Sequence, residues 1–242
     1  MRATVRGRGG HGSMPVRGGA MARLSRLLRR LDQNWLPIHV TPPVRAMVEA
    51  MAAKVGGAKG AALRQLLNPA TAEAVLGLLG PQRSVFEPLL RNTVSPTGLH
   101  ASDKINVIPS QVSVDLDGRL LPGQTPDDML RELQAAVGPE VELEVLRYEP
   151  GPATVNMGLF DALAGVLREA DPAGTPVPLV LSGVTDGRFF ATLGIQTYGF
   201  LPMPLPDDFG FSTSIHAADE HVPAAAVAFG ANAIFAALGR FT

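Results

Sequence analysis

The sequence predicts an α/β chain of two domains, and three observations lead there. Over residues 1–149 the hydrophobic periods run strand, helix, strand, strand, helix, strand, once a helical stretch over about 37–90 is set aside. After Pro150 the pattern changes to helices alternating with short apolar strands, the signature of a parallel sheet. Polar, glycine-containing loops follow the candidate strands of that second part, where parallel α/β sheets build their sites.

Residues 2–8 alternate loosely and predict a strand, followed by the permissive loop Gly9-Gly10-His11-Gly12-Ser13. Residues 19–31 place Met21, Leu24, Leu27, Leu28 and Leu31 on one side of an amphipathic helix with an arginine-rich outer side. The insertion carries short helices over 43–54, 60–67 and 71–79; Pro81, Pro88 and Pro96 argue against long regular elements after it. Strands are expected over 93–100 and 111–116, joined through Lys104-Ile105-Asn106-Val107-Ile108-Pro109. Pro126-Asp127-Asp128 opens a helix to about Ala136, its acidic first turn suiting the helix dipole. Residues 140–147 alternate cleanly as an edge-type strand. This order is that of a ferredoxin-like split β-α-β layer.

Beyond Pro150 the sequence predicts a helix over 156–170, a strand over 177–181 and a short helix from Arg188. A strand over 196–200, a proline-rich loop to His216 and a helix over about 222–238 follow. So few strands amount to part of a parallel-sheet domain, with a sheet face lacking cover.

The composition narrows the chemistry. A net charge of −1 from 21 basic and 22 acidic residues carries no global bias toward nucleic acid. Arg23, Arg26, Arg29 and Arg30 form a solvated face without the aromatic pattern of a base-stacking surface. Zero cysteines exclude disulfides, thiol catalysis and Cys-ligated zinc, so any metal must be held by histidines and carboxylates. No apolar run approaches the roughly 18–20 residues of a spanning helix, and no membrane partner is expected. The first residues lack the apolar core of a secretory signal, from which a cytoplasmic location is expected.

No HExxH, no GxSxG and no GxxxxGK[ST] occurs, so Gly9–Ser13 is not a phosphate loop. His216, with Asp219 and Glu220 nearby, has the setting of a metal ligand, and a structural role stays open. His221 beside it suits a surface or capping role, and Ser182 a turn. His11, on a glycine-flanked loop, could donate to a developing oxyanion. Asn106 could serve its own loop. Arg119 and Arg188 offer planar forks suited to a carboxylate, although Asp117 and Asp186 stand two residues before them and make local pairing plausible.

The ordered series is more specific than any of its members. HGSMP at 11–15, KINVIPSQVSVDLDGRLLPG at 104–123, SGVTDGRFFATLGIQTYGF at 182–200 and HAADEHV at 216–222 together resemble the zinc aminoacylase and carboxypeptidase family of metallopeptidases. That family includes desuccinylases and other amidohydrolases acting on N-acyl amino acids and small peptides. The resemblance covers essentially the whole chain. It implies a ferredoxin-like lid with a helical insertion over 1–149, mediating homodimerisation, and the C-terminal part of the zinc-peptidase catalytic domain over 150–242.

The resemblance also implies roles. His216 matches a zinc ligand. His11 matches the lid histidine that reaches a partner subunit's site to stabilise the oxyanion, and Asn106 a substrate-contacting asparagine. Arg119, Thr185 and Arg188 match substrate-binding positions, with Asp186 orienting its loop. The family's HxD motif, bridging aspartate, catalytic glutamate pair and next acidic ligand precede the lid and have no match here. The parent enzyme is expected to use two zinc ions to hydrolyse an amide bond. This chain is expected to be an incomplete part of it, with no stable dinuclear site and little or no hydrolysis of its own. The alternative is a non-catalytic dimerisation or binding module derived from the same family.

Overall fold

The computed structural model describes residues 1–151, 155–181 and 183–241. The chain opens with strand β1 (Arg2–Arg6), a two-residue strand β2 (Gly10–His11) and helix α1 (Ala20–Gln33). Four helices follow: α2 (Pro42–Val55), α3 (Gly57–Arg64), α4 (Pro69–Leu78) and α5 (Arg83–Leu90). Then come β3 (Thr93–His100), β4 (Val107–Ile108), β5 (Gln111–Arg119), α6 (Pro126–Val137) and β6 (Glu142–Glu144). The last part holds α7 (Phe160–Ala170), α8 (Gly187–Thr192), α9 (Phe211–Ser214) and α10 (Ala224–Leu238).

The fold is α/β, and its ferredoxin-like layer is present. An antiparallel sheet runs in the order β3-β5-β1-β6, with Ala3 opposite Val114 and Leu143 and Val5 opposite Val112. Those residues point to one face and meet Leu24 and Leu27 of α1 and Leu133 and Val137 of α6 in a continuous core. The opposite face is charged: Arg2 bridges Asp115 at 2.8 Å and Arg6 bridges Glu142 at 2.7 Å. Gly7 ends β1 where the chain crosses the start of α1, since a Cβ there would lie 2.4 Å from the Ala20 nitrogen.

The insertion has its own core, with Val44, Met47, Val48, Leu66, Leu76, Leu89 and Leu90 buried together. Its root is closed by polar contacts. Arg91 donates to the Leu36 carbonyl at 2.8 Å and pairs with Glu73 at 2.5 Å, and Trp35 lies against the guanidinium groups of Arg83 and Arg91. Helix α5 accommodates Pro88 and, at 8 residues, is short, as the prolines led one to expect. Only two residues follow Pro88 in the helix, and both, Leu89 and Leu90, are buried, so tertiary burial offsets the missing N–H.

The expected strands over 177–181 and 196–200 are absent as regular strands. A strand needs a hydrogen-bonding neighbour, and neither segment has one among the described residues. Val180 packs on the insertion core, while Leu179 and Leu181 on the other side are 68% and 61% exposed. Around them α7 and α10 form a small separate cluster through Val166, Ala233 and Ala237, with Phe200 against it.

Candidate functional site

His11 and Asn106 are 95 positions apart in sequence, yet the structure brings their backbones together. Strand β2 pairs antiparallel with β4, placing His11 opposite Val107, and the Gly12 amide donates to the Asn106 carbonyl at 2.8 Å. This ribbon stands apart from the main sheet with His11 exposed. The Ser13 amide donates to His11 Nδ1 at 3.3 Å, and the Ser13 hydroxyl lies 2.8 Å from the same nitrogen. An amide donor at Nδ1 requires a lone pair there, so the neutral ring carries its proton on Nε2. In that tautomer the exposed ring keeps an N–H donor at Nε2.

The segment around Thr185, Asp186 and Arg188 starts α8. The Gly187 amide donates to Thr185 Oγ1 at 3.3 Å, and the Arg188 amide to the Thr185 carbonyl at 3.2 Å. A Cβ at Gly187 would lie 2.6 Å from Thr197 Oγ1, so glycine is what lets this loop close on the segment after 195. Asp186 occupies the N-cap position without a capping bond from its side chain. Arg188 already grips a carboxylate: its Nη1 is 2.5 Å from Glu149 Oε2, and its guanidinium stacks 4.6 Å from the Phe189 ring centre. Ser182 lies outside the described residues. Arg119, at the end of β5, pairs with Asp117 at 2.8 Å, the local pairing that its spacing suggested.

His216 sits in a chain of tight turns between α9 and α10. The Ser214 amide donates to the Gly210 carbonyl, Ala217 to Ser214 and Glu220 to Ala217. His216 itself has φ +62°, the one non-glycine residue in the left-handed region among the described residues. Its imidazole is exposed and makes no hydrogen bond among the described residues, whereas His221 is engaged through Nδ1 with the Asp219 carbonyl at 2.8 Å and edge-on to Phe209. A cavity of about 390 Å³ opens beside this turn, lined by Asp208, Phe209, Gly210, Ser214, Asp219 and His221.

His216 thus fits one position of a metal site. Among the described residues no group of three His, Asp or Glu side chains comes together that could complete it. No hydrogen bond, ion pair or shared cavity lining joins His216 to Thr185, Asp186 or Arg188 among the described residues. The expected site residues thus fall into two separate local groups among the described residues.

Residues 1–143 match the peptidase dimerisation domain of the M20 family. The chain belongs to the M20 peptidase family. Its residues 11, 106 and 119 fall within that match. The chain is 28% identical over 227 residues to the N-fatty-acyl-amino acid synthase/hydrolase PM20D1 of Mus musculus, covering 88% of this chain and 43% of that protein. It is 24% identical over 204 residues to a probable carboxypeptidase S-like 2 of Dictyostelium discoideum, covering 81% and 38%. Among solved structures, the M20 family metallo-carboxypeptidase Sso-CP2 of Sulfolobus solfataricus overlaps 80% of this chain and 54% of its own at 15% identity, with a TM-score of 0.43. The chain spans less than half the length of the curated relatives it matches.

Two residues at these places were not singled out by sequence reasoning: Ser13 contacts His11 Nδ1 and Glu149 occupies Arg188. Glu220, read in the sequence as a carboxylate near His216, binds the His216 backbone rather than its ring. Ser13 had a readable signal, a polar side chain two residues from a candidate histidine. Glu149 had none, since its partner lies 39 positions away.

Proposed function

We propose that this chain supplies the lid, residues 1–149, and part of the catalytic domain, residues 150–242, of an M20 hydrolase that cuts the amide bond of an N-acyl amino acid or small peptide. The observation that carries this reading is the β2–β4 ribbon. It sets an exposed histidine, able to donate from Nε2, on a strand paired with the one that follows Asn106, in a two-strand extension of the β1–β5 pair. Such a donor is suited to an oxyanion that forms as an amide carbonyl is attacked. Arg188 and Thr185 take the substrate carboxylate, which must displace Glu149 from the guanidinium, and Arg119 contributes a second fork.

In the parent enzyme two zinc ions would supply the chemistry of activating water and polarising the amide carbonyl. His216 is this chain's contribution to holding them, and the chain's described residues hold no second cluster for the rest. Homodimerisation through the lid brings His11 to the partner's site. The surface that supports it lies where α1 meets the free edge of β3. Met21 and Leu28 of α1 are exposed there, and Leu99 is opposite the core residue Val114 yet 55% exposed.

The test is hydrolysis of a panel of N-acyl amino acids with zinc. The chain alone is expected to be inactive. Mixing it with a polypeptide carrying the family's HxD and glutamate motifs is expected to give zinc-dependent activity, abolished by His216→Ala and reduced by His11→Ala. Association without any activity would instead favour a non-catalytic dimerisation module. That second reading draws on the same α1–β3 surface and on the incomplete ligand set.

A further inference from the structure

We propose that Glu220 is a positioning residue for His216, holding its backbone in the left-handed region so that the imidazole projects from the turn. This rests on the reading of His216 as a zinc ligand. The left-handed region is uncommon for a residue with a side chain, and its strain persists only where surrounding contacts hold it. The surrounding turns supply most of that hold through backbone bonds: Ser214 to Gly210, Ala217 to Ser214 and Glu220 to Ala217. The missing link is the His216 amide itself. It donates to Glu220 Oε2 at 3.1 Å, closing a ring from the residue's own N–H to the end of the next turn.

The direction of the bond matters. A carboxylate accepting from a main-chain N–H leaves both imidazole nitrogens free, and no other bond to the ring occurs among the described residues. Glu220 therefore acts on the backbone rather than on the ring. It differs from an outer partner that binds a ligand's second nitrogen and fixes its tautomer. His221, one residue further on, is held differently: its Nδ1–H donates to the Asp219 carbonyl and its ring meets Phe209 edge-on, so it owes nothing to the Glu220 carboxylate.

The test uses the 242-residue chain, isotope-labelled, with NMR couplings and cross-correlated relaxation that report the sign of φ at residue 216. Zinc titration is followed on the His216 ring signals with the polypeptide carrying the family's HxD and glutamate motifs added, and far-UV circular dichroism establishes folding. Glu220→Ala is expected to move residue 216 out of positive φ and to weaken the zinc response roughly tenfold, the low end for loss of a supporting partner. Glu220→Gln retains an acceptor oxygen and is expected to restore positive φ and most of the zinc response. If Glu220→Ala leaves φ positive in a folded chain, or Glu220→Gln behaves like Glu220→Ala, the proposal is overturned. A wild-type His216 that ignores zinc would overturn the ligand reading, while the φ comparison would still decide the role of Glu220.

Discussion

Asp115 shows how one side chain on the outer sheet face couples folding to pH. It accepts from Arg2 at 2.8 Å and lies 2.6 Å from His100 Nε2, and these two partners, Arg2 foremost, hold its pKa at about 2. The charged carboxylate is thus favoured in the folded state. Its stabilisation is present above the unfolded value near 3.8 and is lost as pH falls from there through about 2. In Asp115→Asn the urea midpoint is expected to depend less on pH between about 4 and 2 than in the wild type, as read from denaturation curves at each pH. A second residue, Glu132, works in the interior. One oxygen lies 2.5 Å from His39 Nε2 and the other accepts from Asn92 Nδ2 at 3.0 Å, while Asn92 Oδ1 accepts the Leu121 amide. Asn92 is buried, so Glu132→Ala strands its amide and is expected to cost about 1–3 kcal/mol in urea denaturation. Arg188 and Glu149 pose a third case. If the pair screens the substrate grip, Glu149→Gln is expected to lower KM for an acyl-amino acid in the reconstituted enzyme with little change in kcat.

Among the elements, α6 is the one whose ends are written most fully in sequence. Thr125 accepts from the Asp128 amide at 3.2 Å, and Asp128 returns a bond from the Thr125 amide at 2.9 Å, a complete capping box before Pro126. Thr125→Ala is expected to cost about 1 kcal/mol by thermal or urea unfolding, since it removes one half of that exchange. The insertion helices depend on burial more than on their ends, because of these only α4 has a capping side chain. Leu76, fully buried in their shared core, is expected to cost about 2–5 kcal/mol as Leu76→Ala. Strand periodicity was legible where one face is wet, as in β1 and β5. It failed over 177–181, a continuous apolar run with no alternation to read, where no neighbouring strand among the described residues takes its hydrogen bonds. The β2–β4 ribbon escaped notice because two-residue strands have no period to detect.

For the molecule as a whole, oligomeric state is the first measurement to make. If α1 and β3 form the proposed homodimer surface, Leu99→Lys is expected to shift light-scattering mass from dimer to monomer without loss of helical signal, because Leu99 is already half exposed. The strand–helix order of the antiparallel layer, the start of α6 and the family membership could all be read from the chain. These follow from local period, turn residues and short motifs, which depend on neighbours in sequence. The pairing of His11 with Asn106, the Glu149 carboxylate on Arg188 and the left-handed backbone of His216 could not. The first two join residues 95 and 39 positions apart, while the third is local, lying in turns over 210–220 that carry no hydrophobic period to read. Contacts of the first kind are selected by which surfaces can be buried and which polar groups then need partners, and no local window contains both sides of that balance.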